Sequence, residues 1–271
     1  MPDDRVTFIL TQKGRTLVRP FCISKEYSLN LNPQSEIKNP IDTCDTMEIL
    51  DNIRISLDMQ KIKKELHMEG REDSSHVQAL IKEVQPLIRA RAVYRNCYLE
   101  SKPEDAIVID GIRFTSRVLR RHMDNVGRVF PFVVTIGSKL EEYARACKDF
   151  LKQYYLDTIG NIALITARKY LEDHLRSKYA LGCISYMSPG SLKDWDLEGQ
   201  RPLFSILGDV RASIGVYLTE TLLMIPTKSL SGIFFPTEIP FYSCQLCPRE
   251  NCQGRKAKYS ENLAIEYGIQ K

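Results

Sequence analysis

The segment with the densest chemistry lies near the C-terminus and reads Cys244-Gln-Leu-Cys247-Pro-Arg-Glu-Asn-Cys252. Two thiols separated by two residues can face one centre from a single tight turn. A third, a few residues on, closes a tripod. That spacing suits a metal ion or an iron–sulfur cluster better than a disulfide. Pro248 stiffens the turn, and Arg249, Arg255, Lys256 and Lys258 would offset the charge of thiolate ligands. Cys244, Cys247 and Cys252 are the candidate metal ligands, one short of a closed site. The fourth position falls to Cys183, Cys147, solvent or a partner. An iron–sulfur cluster, a structural zinc and no metal at all stay open. Cys22, Cys44 and Cys97 have no ligand spacing and read as ordinary thiols.

Other chemistry is thin. The sequence holds no P-loop, G-x-G-x-x-G, H-E-x-x-H or G-x-S-x-G. Four histidines leave few general bases. His174 falls on the apolar stripe of a helix and reads as a satisfied core histidine. Asp194, Asp196 and Glu198 cluster at a helix start, where carboxylates complement the dipole.

The elements that must position these residues come from an ordinary globular composition. In 271 residues, Lys+Arg number 38 and Asp+Glu 34, a net charge of +4, with 43% hydrophobic residues. Those values exclude a collagen, a coiled coil and a wholly disordered chain. The basic residues are scattered, and the densest cluster, Arg117, Arg120 and Arg121, has the spacing of a solvated helix face. No nucleic-acid partner is expected. No stretch reaches the roughly 18 apolar residues of a membrane span. The start, Met1-Pro2-Asp3-Asp4-Arg5, lacks a cationic leader, so the expected compartment is the cytoplasm, where disulfides are unlikely.

Along the chain, Val6–Leu10 and Thr16–Pro20 read as a hairpin around Gly14, and Ser24–Asp45 as a long loop. Residues 1–48 form an N-terminal extension, 49–240 the main α+β domain, and 241–271 a cysteine-rich tail. Strands are predicted over Ile49–Ser56, Ala92–Leu99, Val129–Ile136, Ile214–Ile225 and Ser229–Phe235, the last two paired across Pro226-Thr-Lys228. Asp110-Gly111 marks a tight hairpin. Helices are predicted around Lys61–Leu66, after Asp73-Ser-Ser75 with apolar positions from Val77 to Ile88 and its last turn disturbed by Pro86, from Ser116 towards Gly127, and from Asp196 to Leu207. Two more follow the capping box Ser138-Lys-Leu-Glu141. The second carries Leu156, Ile159, Ala163, Ala167, Leu171 and Leu175 on one face, with Gly160 and Ala163 small enough for a close backbone approach. Helices and hairpins without a βαβ rhythm argue for α+β.

At Ser188-Pro-Gly-Ser-Leu-Lys-Asp-Trp195 and Glu198-Gly-Gln-Arg-Pro-Leu-Phe204 a family resemblance emerges. It continues through Ile214-Gly-Val-Tyr-Leu-Thr-Glu220 and Met224-Ile-Pro-Thr-Lys-Ser-Leu-Ser-Gly232, with Thr135–Glu142 and Asp157–Gly160 upstream. The text resembles the activation (S-adenosylmethionine-binding) domain of cobalamin-dependent methionine synthase, in free-standing form. The similarity runs from Ile49 to Phe235 and is most specific in its last third. It implies a bent antiparallel sheet with surrounding helices. It also implies reactivation of a corrinoid protein by reduction, S-adenosylmethionine-dependent methylation of Co(II), or both. The cobalamin would be carried by the partner, and a flavodoxin-like or ferredoxin-like donor would supply the electron. The family pocket maps onto Tyr186, Pro189, Gly190, Ser191, Thr219 and Glu220.

The family's cofactor segment Arg-Pro-Ala-Pro-Gly-Tyr is here Tyr186-Met187-Ser188-Pro189-Gly190-Ser191. The Pro-Gly turn is kept. The arginine, a planar partner for a carboxylate, is replaced by Tyr186, and the tyrosine by Ser191. A family acidic residue falls near Ile165. Two other readings remain: a non-catalytic cap for a corrinoid protein with a structural metal in the tail, and a methyltransferase acting on an unrelated acceptor.

Overall fold

Alternating side chains along two central strands set the layering. The computed structural model describes residues 44–68, 75–252 and 255–269, all within the unit Pro33–Lys271. In chain order these form β1 (Glu48–Ile53), α1 (Met59–Glu65), α2 (Ser75–Val84), β2 (Ala90–Tyr94), β3 (Cys97–Tyr98), β4 (Ala106–Ile109), β5 (Ile112–Thr115), α3 (Arg117–His122) and β6 (Arg128–Thr135). Then come α4 (Lys139–Ala146), α5 (Phe150–Lys178), β7 (Ile184–Met187), α6 (Gln200–Leu207), α7 (Val210–Ile214), β8 (Tyr217–Leu218), β9 (Met224–Ile225), β10 (Ser229–Pro236) and α8 (Glu261–Glu266). The expected hairpin over Val6–Pro20, most of the loop Ser24–Asp45 and Cys22 lie outside the described residues.

The main sheet is antiparallel, ordered β1-β2-β6-β10-β7, with β3 also on β6. The fold is α+β. Val129 and Val133 of β6, with Ile233 and Phe235 of β10, enter one buried cluster with α3, α6, α7 and the tail. Phe130, Phe132, Val134 and Phe234 enter a second cluster with α1, α2, α4 and α5. A sheet covered on both faces needs near-continuous apolar runs, whose successive side chains point to opposite faces, and these two strands, buried almost throughout, supply them. The 29-residue α5, about 43 Å long at 1.5 Å per residue, lies on β2, β6 and β10. Its start is fixed by Asp149, whose carboxylate accepts the Leu151 and Lys152 N–H groups.

Several expectations change. Ile214–Ile225 is not a strand. Val210–Ile214 is a helix, capped by Asp209 at its start and by Gly215 at φ +77° at its end. Only Tyr217–Leu218 and Met224–Ile225 pair, as a two-residue ladder. Ser229–Pro236 pairs with β6 and β7 instead. The box at Ser138 does not form, since its side chain makes no cap bond. Glu141 accepts from the Thr227 N–H at 2.8 Å and its hydroxyl at 2.9 Å. Gly160 faces the Lys228 side chain and Leu140, not another backbone.

The cysteines differ as well. Cys44 and Cys97 form a disulfide, their Cα atoms 4.0 Å apart across an antiparallel bridge, and Cys183 is also disulfide-bonded. The reading of Cys44 and Cys97 as ordinary thiols is therefore corrected. Fifty-three residues separate the first pair, so no local spacing signals it. No helix among the described residues is long and apolar enough to cross a membrane.

Candidate functional site

Ser188-Pro189-Gly190-Ser191 has the form of a type II turn. Proline stands at the second position, and glycine at the third takes φ +79°. The Ser191 N–H donates to the Ser188 carbonyl at 3.2 Å, and its hydroxyl donates to the same oxygen at 2.6 Å. The Gly190 N–H donates to the Trp195 carbonyl at 2.7 Å. The left-handed backbone favours glycine here, while the neighbour a Cβ at 190 would meet, 2.7 Å away, is the movable end of the exposed Leu197 side chain. Gly232 on β10 is needed for proximity. A Cβ there would lie 2.3 Å from the Met187 carbonyl and 3.1 Å from the Ser188 hydroxyl.

The tail returns to this turn. Phe241 and Leu246 are buried in the cluster that holds Met187, Leu192 and Trp195, and Ala264 of α8 joins them. The Phe241 N–H donates to Ser185 Oγ at 2.8 Å. Between turn and tail opens a hollow of about 230 Å³, lined by Tyr186, Ser188, Ser191, Leu230 and Phe241 and by Tyr242, Ser243, Cys244 and Lys256. On the other side of the turn a second hollow, about 410 Å³, runs from Gly190–Lys193 to Leu246–Arg249 and Ile269. The structure thus brings Tyr186, Gly190 and Ser191 together with Cys244 and Cys247, and buried Pro189 forms the turn between them. Thr219 and Glu220 line neither hollow. Thr219 organises the β8–β9 turn, accepting the Leu223 N–H at 3.1 Å.

Two cations meet the phenol ring of Tyr186. Arg168 of α5 stacks over it at 4.7 Å, and Lys256 at 5.5 Å. Arg168 is buried and ion-paired to Glu172 at 2.6 Å. Lys256 Nζ donates to Tyr186 Oη at 3.0 Å. Sequence reasoning assigned Lys256 only to charge balance, and passed over Ser188 inside the quoted turn. Nothing in the spacing of residues 188 and 256 could have signalled that they share one wall.

The three tail thiols do not fit a metal site as arranged. Among the described residues no group of three or more His, Cys, Asp or Glu side chains is placed to hold a metal ion. A guanidinium organises the segment. Arg255 donates to the carbonyls of Cys244 and Cys247, each at 3.2 Å, and to that of Arg249, and its N–H reaches the Cys252 carbonyl at 3.1 Å. This arrangement gives no support to the iron–sulfur or zinc tripod expected on Cys244, Cys247 and Cys252, nor to the suggested fourth ligands. Cys183 is spent in a disulfide, and Cys147 packs in the cluster on the opposite face of the sheet from Cys247.

The remaining acids and His174 are structural. Asp194 caps α3, accepting from Ser116 Oγ at 2.6 Å and the Val118 N–H at 3.0 Å. Asp196 caps the short turn before α6 through the Glu198 N–H at 3.0 Å. His174 Nε2 lies 3.0 Å from Tyr94 Oη.

The architecture defines a class: an antiparallel sheet between helical layers, with a Pro-Gly turn at the exposed edge of β7. Among solved structures it is similar to a crystal structure described as the MetH reactivation domain bound to AdoHcy. The TM-score is 0.51 at 14% identity, covering 75% of this chain and 82% of that one. That likeness is one of fold. No family model matches the chain, and comparison with curated proteins gives no match.

Proposed function

We propose that the protein is a free-standing reactivation module for a corrinoid protein. It docks on a partner that carries cobalamin and helps return its cobalt to the reactive state. The methyl group comes from S-adenosylmethionine, and the electron from a flavodoxin-like or ferredoxin-like donor. One observation supports this reading: in a fold like the MetH reactivation domain, Ser188 and Ser191 at the two ends of the Pro189-Gly190 turn line an open hollow.

Ligand pockets usually span roughly 300–1,000 Å³. A hollow of about 230 Å³ takes the amino-acid end of such a ligand and leaves its methyl-bearing centre towards the surface. Tyr186, Ser188 and Ser191 supply hydroxyls, and Leu230 and Phe241 supply an apolar wall. S-adenosylmethionine, when bound, supplies a transferable methyl group. The chain's own contribution is positioning: a rigid turn on a rigid sheet fixes the ligand against a partner's face. Cys244, Cys247 and Cys252 have no electron-carrying role in this scheme.

Calorimetry of the full chain with S-adenosylhomocysteine tests the ligand. Binding in the micromolar range is expected, and its absence overturns the S-adenosylmethionine-dependent reading. Co-purification or gel-filtration shift with a cobalamin-loaded methyltransferase domain tests the docking.

A further inference from the structure

The hollow between turn and tail has a distinctive electrostatic make-up. Its lining contains one cation, Lys256, and no carboxylate. Among the described residues no Asp or Glu lies within ion-pair distance of Lys256 Nζ, whose polar contact is the Tyr186 hydroxyl at 3.0 Å. Arg168, stacked on that ring, has Glu172 as its counter-charge. Inside the hollow the Ser188 Oγ is buried without a hydrogen-bond partner. Buried hydroxyls in native proteins are nearly always bonded, and one that is not points to a missing group. A free hydroxyl donor, an unpaired ammonium and an absence of acids together describe a site for an anion. The walls refine the anion's identity. Leu230, Phe241 and the rings of Tyr186 and Tyr242 are apolar surface, which suits a short carbon chain and is wasted on an inorganic ion.

We infer that Lys256, on the cysteine-bearing tail, reads the carboxylate of an amino-acid-like ligand seated in this hollow, with Ser188 donating a second hydrogen bond. The inference rests on the proposed function for the nature of the rest of the ligand. It makes the tail part of the binding site. The cysteine segment then has a positional role. Arg255 gathers the carbonyls of Cys244 and Cys247, and the Lys256 N–H donates to Cys244 Sγ at 3.4 Å, which fixes where the lysine emerges.

Calorimetry on the full-length protein decides between the outcomes with four probes: S-adenosylhomocysteine, L-methionine, its decarboxylated counterpart 3-(methylthio)propylamine, and inorganic phosphate. Methionine is expected to bind at least tenfold more tightly than the amine. Lys256→Gln is expected to lower methionine affinity about tenfold or more, the scale of a lost charged hydrogen bond, while Lys256→Arg retains most of it. Equal binding of methionine and the amine, or an unchanged Lys256→Gln affinity, overturns the inference, as does phosphate binding as tightly as methionine. If methionine binds in a Lys256-dependent way and S-adenosylhomocysteine does not bind, the inference stands and the S-adenosylmethionine-dependent reading falls. If S-adenosylhomocysteine binds wild type and Lys256→Gln equally, that reading stands and the inference falls. No binding of either overturns both. Circular dichroism of each variant confirms that the fold is retained.

Discussion

Two regions of the molecule combine tyrosines, a histidine and cations, and they treat polar groups in opposite ways. Around the end of α5, Tyr94 donates to Glu48 at 2.9 Å and meets His174 at 3.0 Å, Tyr179 donates to Glu48 at 3.2 Å, and Lys178 pairs with the same carboxylate. Each polar tip there has a partner. Around β7 and the tail, four buried polar atoms have none: Ser188 Oγ, Trp195 Nε1, His122 Nε2 and Arg168 Nε. A buried unpaired donor or acceptor costs about 1–3 kcal/mol. A fold that satisfies one end and leaves the other open has spent stability where a ligand or partner can recover it. On the proposed function, the β7–tail end is the working end and the Tyr94 cluster the scaffold.

The sharpest way to break this contrast is to close the working end by force. Gly232→Ala places a Cβ against the Met187 carbonyl, a backbone atom that can move only with β7. A loss of about 3 kcal/mol is expected, at the top of the range for overpacking, seen as a fall in Tm of about 6–12 °C. Ligand binding should go with it, because the Ser188 hydroxyl is displaced. A Tm within about 2 °C of wild type, well short of that fall, would show that β7 is mobile enough to leave the hollow undefined.

Acid should open the same end next. His122 is wedged among Phe235, Phe241 and Tyr267, and burial, aided by nearby Arg121, pushes its pKa down to about 4. The folded chain therefore holds the neutral ring while the unfolded chain takes up a proton near pH 6.5. Between those values the unfolded state binds more protons, so stability is constant above about pH 6.5 and falls as pH drops towards 4. A shift of that size corresponds to about 3 kcal/mol at most, less what solvent access at the ring removes. Glu48 and Glu172, held low by hydrogen bonds and neighbouring cations against the opposing effect of burial, add losses only below the ordinary carboxylate range. Urea melts from pH 7 to 5 should show the decline, and His122→Phe should flatten it. An unchanged slope in that variant would remove His122 from the account.

Paired hydroxyl deletions sharpen the comparison on a smaller scale. Tyr94→Phe removes a satisfied donor and leaves Glu48 and His174 short of a partner, so a loss of about 1–2 kcal/mol is expected. Ser188→Ala removes an unsatisfied one, so the empty protein should lose nothing or gain slightly. Ligand affinity should fall in the second variant and not in the first. Equal destabilisation by both would end the distinction between the two regions.

What the sequence disclosed follows the same division. The α5 stripe, β6 and the Asp110-Gly111 hairpin were legible because local periodicity and turn chemistry determine them, and the structure places positive φ angles at both hairpin residues. The Pro189-Gly190 turn was legible because only glycine tolerates its backbone. The strand expected over Ile214–Ile225 failed because a β-rich composition hid a helix cap at Asp209 and a left-handed stop at Gly215. The Cys44–Cys97 link and the Lys256–Tyr186 contact, 70 residues apart, depend on how the chain returns to the sheet. No local rule encodes such returns. The role of Arg255, which gathers the carbonyls of Cys244 and Cys247, was hidden for a related reason: the cysteine spacing says nothing of it.

The smallest effect is a rate and not a stability. Cys244 lines the ligand hollow, Cys247 lines its neighbour, and Cys147 lies on the opposite face of the sheet. All three are partly exposed free thiols. A ligand seated against Lys256 covers Cys244, so alkylation by iodoacetamide, mapped by mass spectrometry, should slow several-fold at Cys244 in the presence of saturating methionine. Cys147 serves as the internal reference and should not change. The Lys256→Gln variant should lose the protection at the same methionine concentration. Protection of Cys147, or none at Cys244 while methionine binds by calorimetry, would move the ligand away from the tail and leave the unpaired Ser188 hydroxyl to be satisfied by a partner protein.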